Sequence, residues 1–288
     1  LTQQLLNGVF RGSLYALFAL GYTLVFGILD ILNLAHQAVF MLAAFVALAL
    51  ISALHLNLAL ASLLAVVAAG LIGVALERAA FRPLRGRADS RVSSLISSIA
   101  AATILESIAL GVWGPDVTRF PLGLLPAPGQ ESGIPSIQLV TIGISIAMTA
   151  LLTWMLRATR LGRQIRATAE NPIAARVLGV NVDRAIAASF FISSALGGVG
   201  GVLFGLAFNA SPDMGRSVQL KGLAVIVLGG MGSVPGAVLA GYAIGLIEVF
   251  TVAQIGSSWS DAASFAVLFL VLLVRPRGLF GRSAARLA

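Results

Sequence analysis

Apolar residues fill this chain in long blocks, and the polar residues between them fall into a few short segments. Runs such as 4–29, 92–114, 137–156 and 185–208 reach the ~20 residues an α-helix needs to cross ~30 Å of hydrocarbon. None alternates apolar and polar as a barrel strand does. The pattern predicts an all-α, polytopic bundle of about eight membrane segments in a single transmembrane domain, 1–288. The first run is too long for the apolar region of a secretory signal peptide and lacks a basic leader, so it reads as a true span.

Two segments interrupt the blocks. At 29–37, LGYTLVFGI leads through LDILNLAHQ into AVFMLAAFVALAL; at 229–236, LAVIVLGG leads through MGSVPG into AVLAGYAIGL. Each unit is followed by an apolar span that ends in an Arg-Pro cluster, FRPLRGR at 81–87 and VRPRGLFGR at 274–282. The chain therefore reads as two repeated halves, about 1–91 and 185–288. Broken apolar segments at corresponding positions of two halves point to a transport site, because non-helical backbone at membrane depth needs protein or water around it. Candidate pathway residues are Asn33, His36 and Gln37 at the first break and Gly230, Gly232, Ser233, Pro235 and Gly236 at the second. The second turn is expected within the membrane, with both ends of 218–250 external. Gly197, Gly201 and Gly205 stand at GxxxG spacing and predict a close helix contact.

Composition supports the membrane reading, since 58% of residues are hydrophobic and only 10% charged. The net charge of +8 encodes orientation rather than a nucleic-acid surface: fifteen of nineteen basic residues fall in 77–91, 157–184 and the tail from Arg275. Basic clusters beside spans mark the cytoplasmic side. Threading outward from them makes 115–136 an external loop, the C-terminus cytoplasmic and the N-terminus external. There are no cysteines, and no GxSxG, HExxH or GxxxxGK[ST] motif occurs. The sequence nominates no catalytic residues, metal ligands or cofactor, so the chain is expected not to be an enzyme, and any ATP that drives it must bind another subunit. Glu106 reads as a hydrogen-bonded structural acid. Lys221 and Glu248 read as side chains snorkelling near the external interface.

The longest basic segment contains RATAENPIAARVLGVNVDR, 166–184. Asn171 as N-cap, Pro172 at the first position and Gly179 as the stop predict a short helix. A helix of about eight residues is marginal alone in water. Its small face of Ala174 and Ala175, ending in Leu178, is expected to dock on a partner protein inside the cell.

Three stretches carry a family resemblance: GSLYALFALGYTLVFGILDILNLAHQAVFMLAAF, RATAENPIAARVLGVNVDR and GLAVIVLGGMGSVPGAVLAGYAIGLIE. Over nearly its whole length the chain resembles the LivH-type permease subunits of ABC importers for branched-chain amino acids. The resemblance implies a bacterial inner-membrane protein that pairs with a LivM-type permease, two cytoplasmic ATPase subunits and an external solute-binding protein. It implies a coupling helix at 169–179, with Glu170, Asn171, Pro172, Ala174, Ala175 and Gly179 meeting the ATPase. It also implies passage of a branched-chain amino acid or a related small zwitterionic or amide solute. One departure is Gln37, where such permeases commonly have glycine after the histidine. The alternative from another class is a self-sufficient secondary transporter or channel.

Overall fold

A computed structural model describes residues 1–85, 89–121, 135–276 and 278–281. Among these residues there are eleven α-helices and no β-strand beyond one isolated bridge. They are α1 Thr2–Leu29, α2 His36–Leu54, α3 Leu58–Leu76, α4 Ser90–Trp113, α5 Ser136–Ala158, α6 Arg160–Glu170, α7 Pro172–Val177, α8 Val182–Phe208, α9 Met214–Gly229, α10 Val234–Gln254 and α11 Ser260–Val274. A π turn and a 3-10 turn prolong α3 to Leu84. Eight helical segments are long and apolar enough to cross a membrane; α6, α7 and α9 are not among them. The chain is a multi-pass membrane protein.

Helices α1, α2 and α8 form the centre, and glycine lets their backbones approach. A Cβ on Gly12 would stand 2.7 Å from Tyr242 Cα, and one on Gly201 would collide with the Phe40 carbonyl. Gly197 faces His36 and Gly205 faces Ala44, so the GxxxG stripe of α8 lies along α2 with the two helices parallel. By the same registers α1 runs antiparallel to both α8 and α10: Gly21 meets Ser193, while the Phe10 and Phe208 rings lie 6.0 Å apart. The first residues of α1 therefore lie at the end of the bundle opposite the basic 157–184 segment. Helices α3, α4, α5 and α11 surround this centre and expose Leu63, Leu71, Ile104, Leu151 and Phe269. In water such a surface would be an aggregation liability, but it suits lipid.

The two breaks lie at different depths. His36 packs against Gly21, eight residues before the end of α1, so α2 begins ~12 Å up from that end. The second turn lies beside Gly27, with Gly232 Cα 3.6 Å from the position of a Cβ on Gly27. It is also paired to the segment after α11, where Leu279 N–H donates to Leu228 (2.8 Å) and Phe280 N–H to Gly229 (3.1 Å). The structure sets this turn level with the end of α1, and the 21 residues of α10 that follow it span ~31 Å. Helix α9, at 16 residues, is the short arm.

Of the expected external loop 115–136, residues 122–134 lie outside the described residues. Thr118, before them, exchanges two backbone hydrogen bonds with Ala210 (2.8 and 2.9 Å), joining the segments that follow α4 and α8.

Candidate functional site

The first break is held by side chains. Asp30 ends α1 in the left-handed conformation (φ 53°), with its N–H donating to Phe26 (2.8 Å). Asn33 Oδ1 accepts from Ala35 N–H (3.2 Å), and Ser98 Oγ of α4 accepts from Leu34 N–H (3.2 Å). His36 is fully buried among Gly21, Gly197, Phe18 and Tyr22, its ring 4.9 Å from Phe18 and 5.9 Å from Tyr22. Neither ring nitrogen makes a well-formed hydrogen bond. His36 is thus a wedge between α1 and α8, and Asn33 is a buried residue whose side chain closes the turn just before α2. Gln37 alone of the three turns its side chain toward a cavity.

The second break is held by backbone. Gly229 and Gly236 pack against each other so closely that a Cβ on either would collide with the other's main chain. Gly230 and Gly232 have positive φ (97° and 84°), and Ser233 caps α10 by accepting from Gly236 N–H (3.3 Å). Pro235 sits in the first turn of α10, where no intrahelical N–H is needed. The structure thus gathers Gly229 to Gly236 at the end of α1, and the Asn33 to Gln37 group higher along it.

Two buried acids flank α9. Glu106 of α4 accepts from Gln37 Nε2 (3.2 Å) and is bridged by Arg216 of α9. Glu248 of α10 accepts from Arg11 (2.6 Å), Lys221 of α9 (2.6 Å) and the Tyr15 hydroxyl (2.5 Å). Lys221 also lies 3.2 Å from Asp261. The snorkelling expected of Lys221 and Glu248 is corrected: Glu248 is 2% exposed and saturated with donors. Each acid borders a cavity. One of about 220 Å³ is lined by Gln37, Glu106, Arg216 and Gln219, and one of about 230 Å³ by Arg11, Phe208, Lys221 and Glu248.

At the opposite end the 166–184 segment completes α6, forms α7 and opens α8. Asn171 Oδ1 accepts from Ile173 and Ala174 N–H, both at 3.0 Å. The helix closes with Gly179 at φ 82°, Val180 N–H donating to Ala175 and Gly179 N–H to Arg176, which is a Schellman motif. Glu170, Asn171, Pro172, Ala174 and Gly179 are exposed. Ala175 is not: at 2% exposed it packs on the chain's own Val25, Ile31, Phe81 and Phe190. The expectation that Ala174 and Ala175 together face a partner fails for Ala175. What faces outward is apolar and larger, Ile173 (75% exposed), Val177 (82%) and Leu178. Nearby, Arg85 bridges the buried Glu77 and joins Asp183 (3.2 Å), with Arg82 also on Asp183 (3.3 Å), tying the end of α3 to the start of α8.

A family model described as the permease component of the branched-chain amino acid transport system matches residues 4–272. The chain is 37% identical to the high-affinity branched-chain amino acid transport permease LivH of Escherichia coli strain K12, covering 97% of this chain and 95% of that protein. It is 36% identical to BraD of Pseudomonas aeruginosa over the same shares. The chain belongs to this permease family. Similarity extends more weakly to the autoinducer 2 import permease LsrC of Escherichia coli, 30% identical over 52% of this chain and 46% of LsrC.

Within the family's fold, the residues that sequence reasoning missed are Arg11, Tyr15, Arg216 and Gln219. Arg11 and Arg216 could have been noticed as basic residues outside the three cytoplasmic clusters. Nothing local signals their partners, since Arg11 and Glu248 are 237 positions apart.

Proposed function

We propose that the chain is the permease subunit of an ABC importer in the bacterial inner membrane, passing branched-chain amino acids or a related small zwitterionic or amide solute. A LivM-type permease completes the pathway, two cytoplasmic ATPase subunits drive it and an external binding protein delivers the solute. Substrate and partners are carried from the relatives' names and from the resemblance of the three stretches quoted above. The observation that carries the coupling assignment is the outward apolar face of Ile173, Val177 and Leu178, on a helix fixed at both ends and seated on the bundle through Ala175. An apolar knob inside a basic segment has no use for water and suits a groove on a protein.

The test is co-purification of the ATPase subunits together with binding-protein-stimulated ATP hydrolysis and leucine uptake in reconstituted vesicles. Val177→Asp should abolish co-purification while membrane insertion is kept, because a charge left unpaired in such a contact weakens association by orders of magnitude. Uptake by the purified chain alone, without an ATPase, would instead establish the self-sufficient transporter.

A further inference from the structure

We infer that the cavity between α2, α4 and α9 is a receiving site for a solute that carries both charges and no net charge, which an aliphatic amino acid satisfies. The inference rests on the importer reading above and names where this chain itself touches the solute. The cavity of about 220 Å³ is lined by apolar Leu34 and Ile99 and by polar Gln37, Glu106, Arg216 and Gln219.

Three features of the polar lining point to a ligand. First, Glu106 and Arg216 sum to zero charge, so a lone cation or anion would bring an uncompensated charge beside the buried Glu106, whereas a zwitterion would not. Second, Gln219 is only 9% exposed, and its Oε1 has no donor within the chain. A buried acceptor left unpaired is unfavourable, and an ammonium group held beside the Glu106 charge supplies the donor that Oε1 lacks. Third, Arg216 spends Nε and one terminal nitrogen on Glu106, while a guanidinium offers five N–H donors. Its side chain is 67% exposed, so donors remain for a carboxylate.

The second cavity lacks the unpaired acceptor: among the described residues that line it none holds a buried side-chain atom without a partner, and its acid, Glu248, serves with Arg11, Tyr15 and Lys221 as a clamp on α9. Position agrees with reception as well. Glu106 lies seven residues, ~10 Å, from the Trp113 end of α4, the end expected to be external. An arginine so exposed beside a membrane-spanning helix is better suited to water or protein than to lipid. Gln37 opens α2 after the first break and Arg216 and Gln219 ride on the short arm of the second, so both interrupted elements contribute to one site.

The experiment is binding of radiolabelled leucine to the transporter assembled from the chain and its partner subunits in lipid nanodiscs, with two isosteres as competitors: isocaproate, which lacks the ammonium, and isoamylamine, which lacks the carboxylate. Valine should compete and neither isostere should. Glu106→Gln should admit isocaproate and Arg216→Gln should admit isoamylamine, a reversal that a purely structural role would not produce. Gln219→Leu should weaken leucine binding ~10-fold or more, with thermal stability unchanged or raised because an orphaned acceptor is removed. An unchanged isostere ranking in both charge variants overturns the site. So does the absence of saturable leucine binding by an assembled transporter that takes up leucine. Failure of the assembled transporter to take up any amino acid overturns the importer reading instead.

Discussion

The two breaks solve one problem by different means. Both must satisfy backbone groups released where a helix stops beside the hydrocarbon, where each unpaired group costs several kcal/mol. The first recruits side chains, Asn33 from within and Ser98 from α4, and fills the space beside α1 with the His36 ring. The second recruits backbone, the carbonyls of Leu228 and Gly229 being taken by residues 279 and 280 while Gly229 and Gly236 touch main chain to main chain. A break built from side chains has rotamers and can be compensated by a second substitution. One built from backbone against backbone has nothing that can move aside.

The largest expected effect follows directly. Gly229→Val or Gly236→Val places a side chain against main-chain atoms, and overpacking of this kind costs ~3 kcal/mol or more where no rotamer relieves it. Thermal unfolding of the purified chain should show a large loss for either variant, and no second-site substitution among neighbouring side chains should restore it. Recovery through such a change would erase the distinction between the breaks.

Gly197→Ala tests the opposite limb. Its Cβ would stand 2.6 Å from His36 Cε1, so the alanine should cost ~1–3 kcal/mol through a displaced ring. Combining it with His36→Ala should cost less than the sum of the two single changes, because the cavity left by the ring accepts the methyl group. Strict additivity in that cycle would mean that the ring is not the element being displaced.

These particulars also show what the sequence could and could not reveal. The spans, the first break and the ends of α7 were legible because each rests on local rules: hydropathy, an Asn-Pro cap and a glycine at positive φ. The inward turn of Ala175 was not, since a six-residue helix is too short for periodicity to say which side is buried. The start of α9 at Met214, ahead of the apolar run read from 218, was not legible either, since Gly215, Arg216 and Ser217 interrupt the hydropathy there. The acids on either side of α9 were visible as residues. Their saturation by Arg11, Lys221 and Arg216 depends on the packing of distant helices, which no local pattern encodes.

A smaller effect is expected of Ser98→Ala, which removes the acceptor of Leu34 N–H without leaving a large void. The cost should be ~1–2 kcal/mol, the range for a buried donor left unpaired. Hydrogen exchange at Leu34 should quicken while amides of α10 stay protected. Equal loosening of both breaks would mean that they unfold as one unit rather than two.

The smallest effect belongs to Asp30, where the first break leaves α1. Its φ of 53° is a left-handed conformation that aspartate tolerates better than most residues, and its carboxylate pairs with Arg91 at an exposed position. An exposed pair of this kind contributes ~0–1 kcal/mol, whereas a residue with a plain Cβ at positive φ costs ~1–2 kcal/mol. Asp30→Gly loses the ion pair but relieves the backbone, so its stability should lie within ~0.5 kcal/mol of the parent chain. Asp30→Ala loses both and should be the less stable of the two by ~1 kcal/mol. Thermal unfolding of both variants beside the parent chain, at low and high salt, separates the contributions: salt should remove the parent's ion-pair share and leave the glycine–alanine gap. If glycine and alanine prove equal, the turn after α1 is held by Arg91 rather than by backbone conformation, and the side-chain character of the first break extends to its first residue.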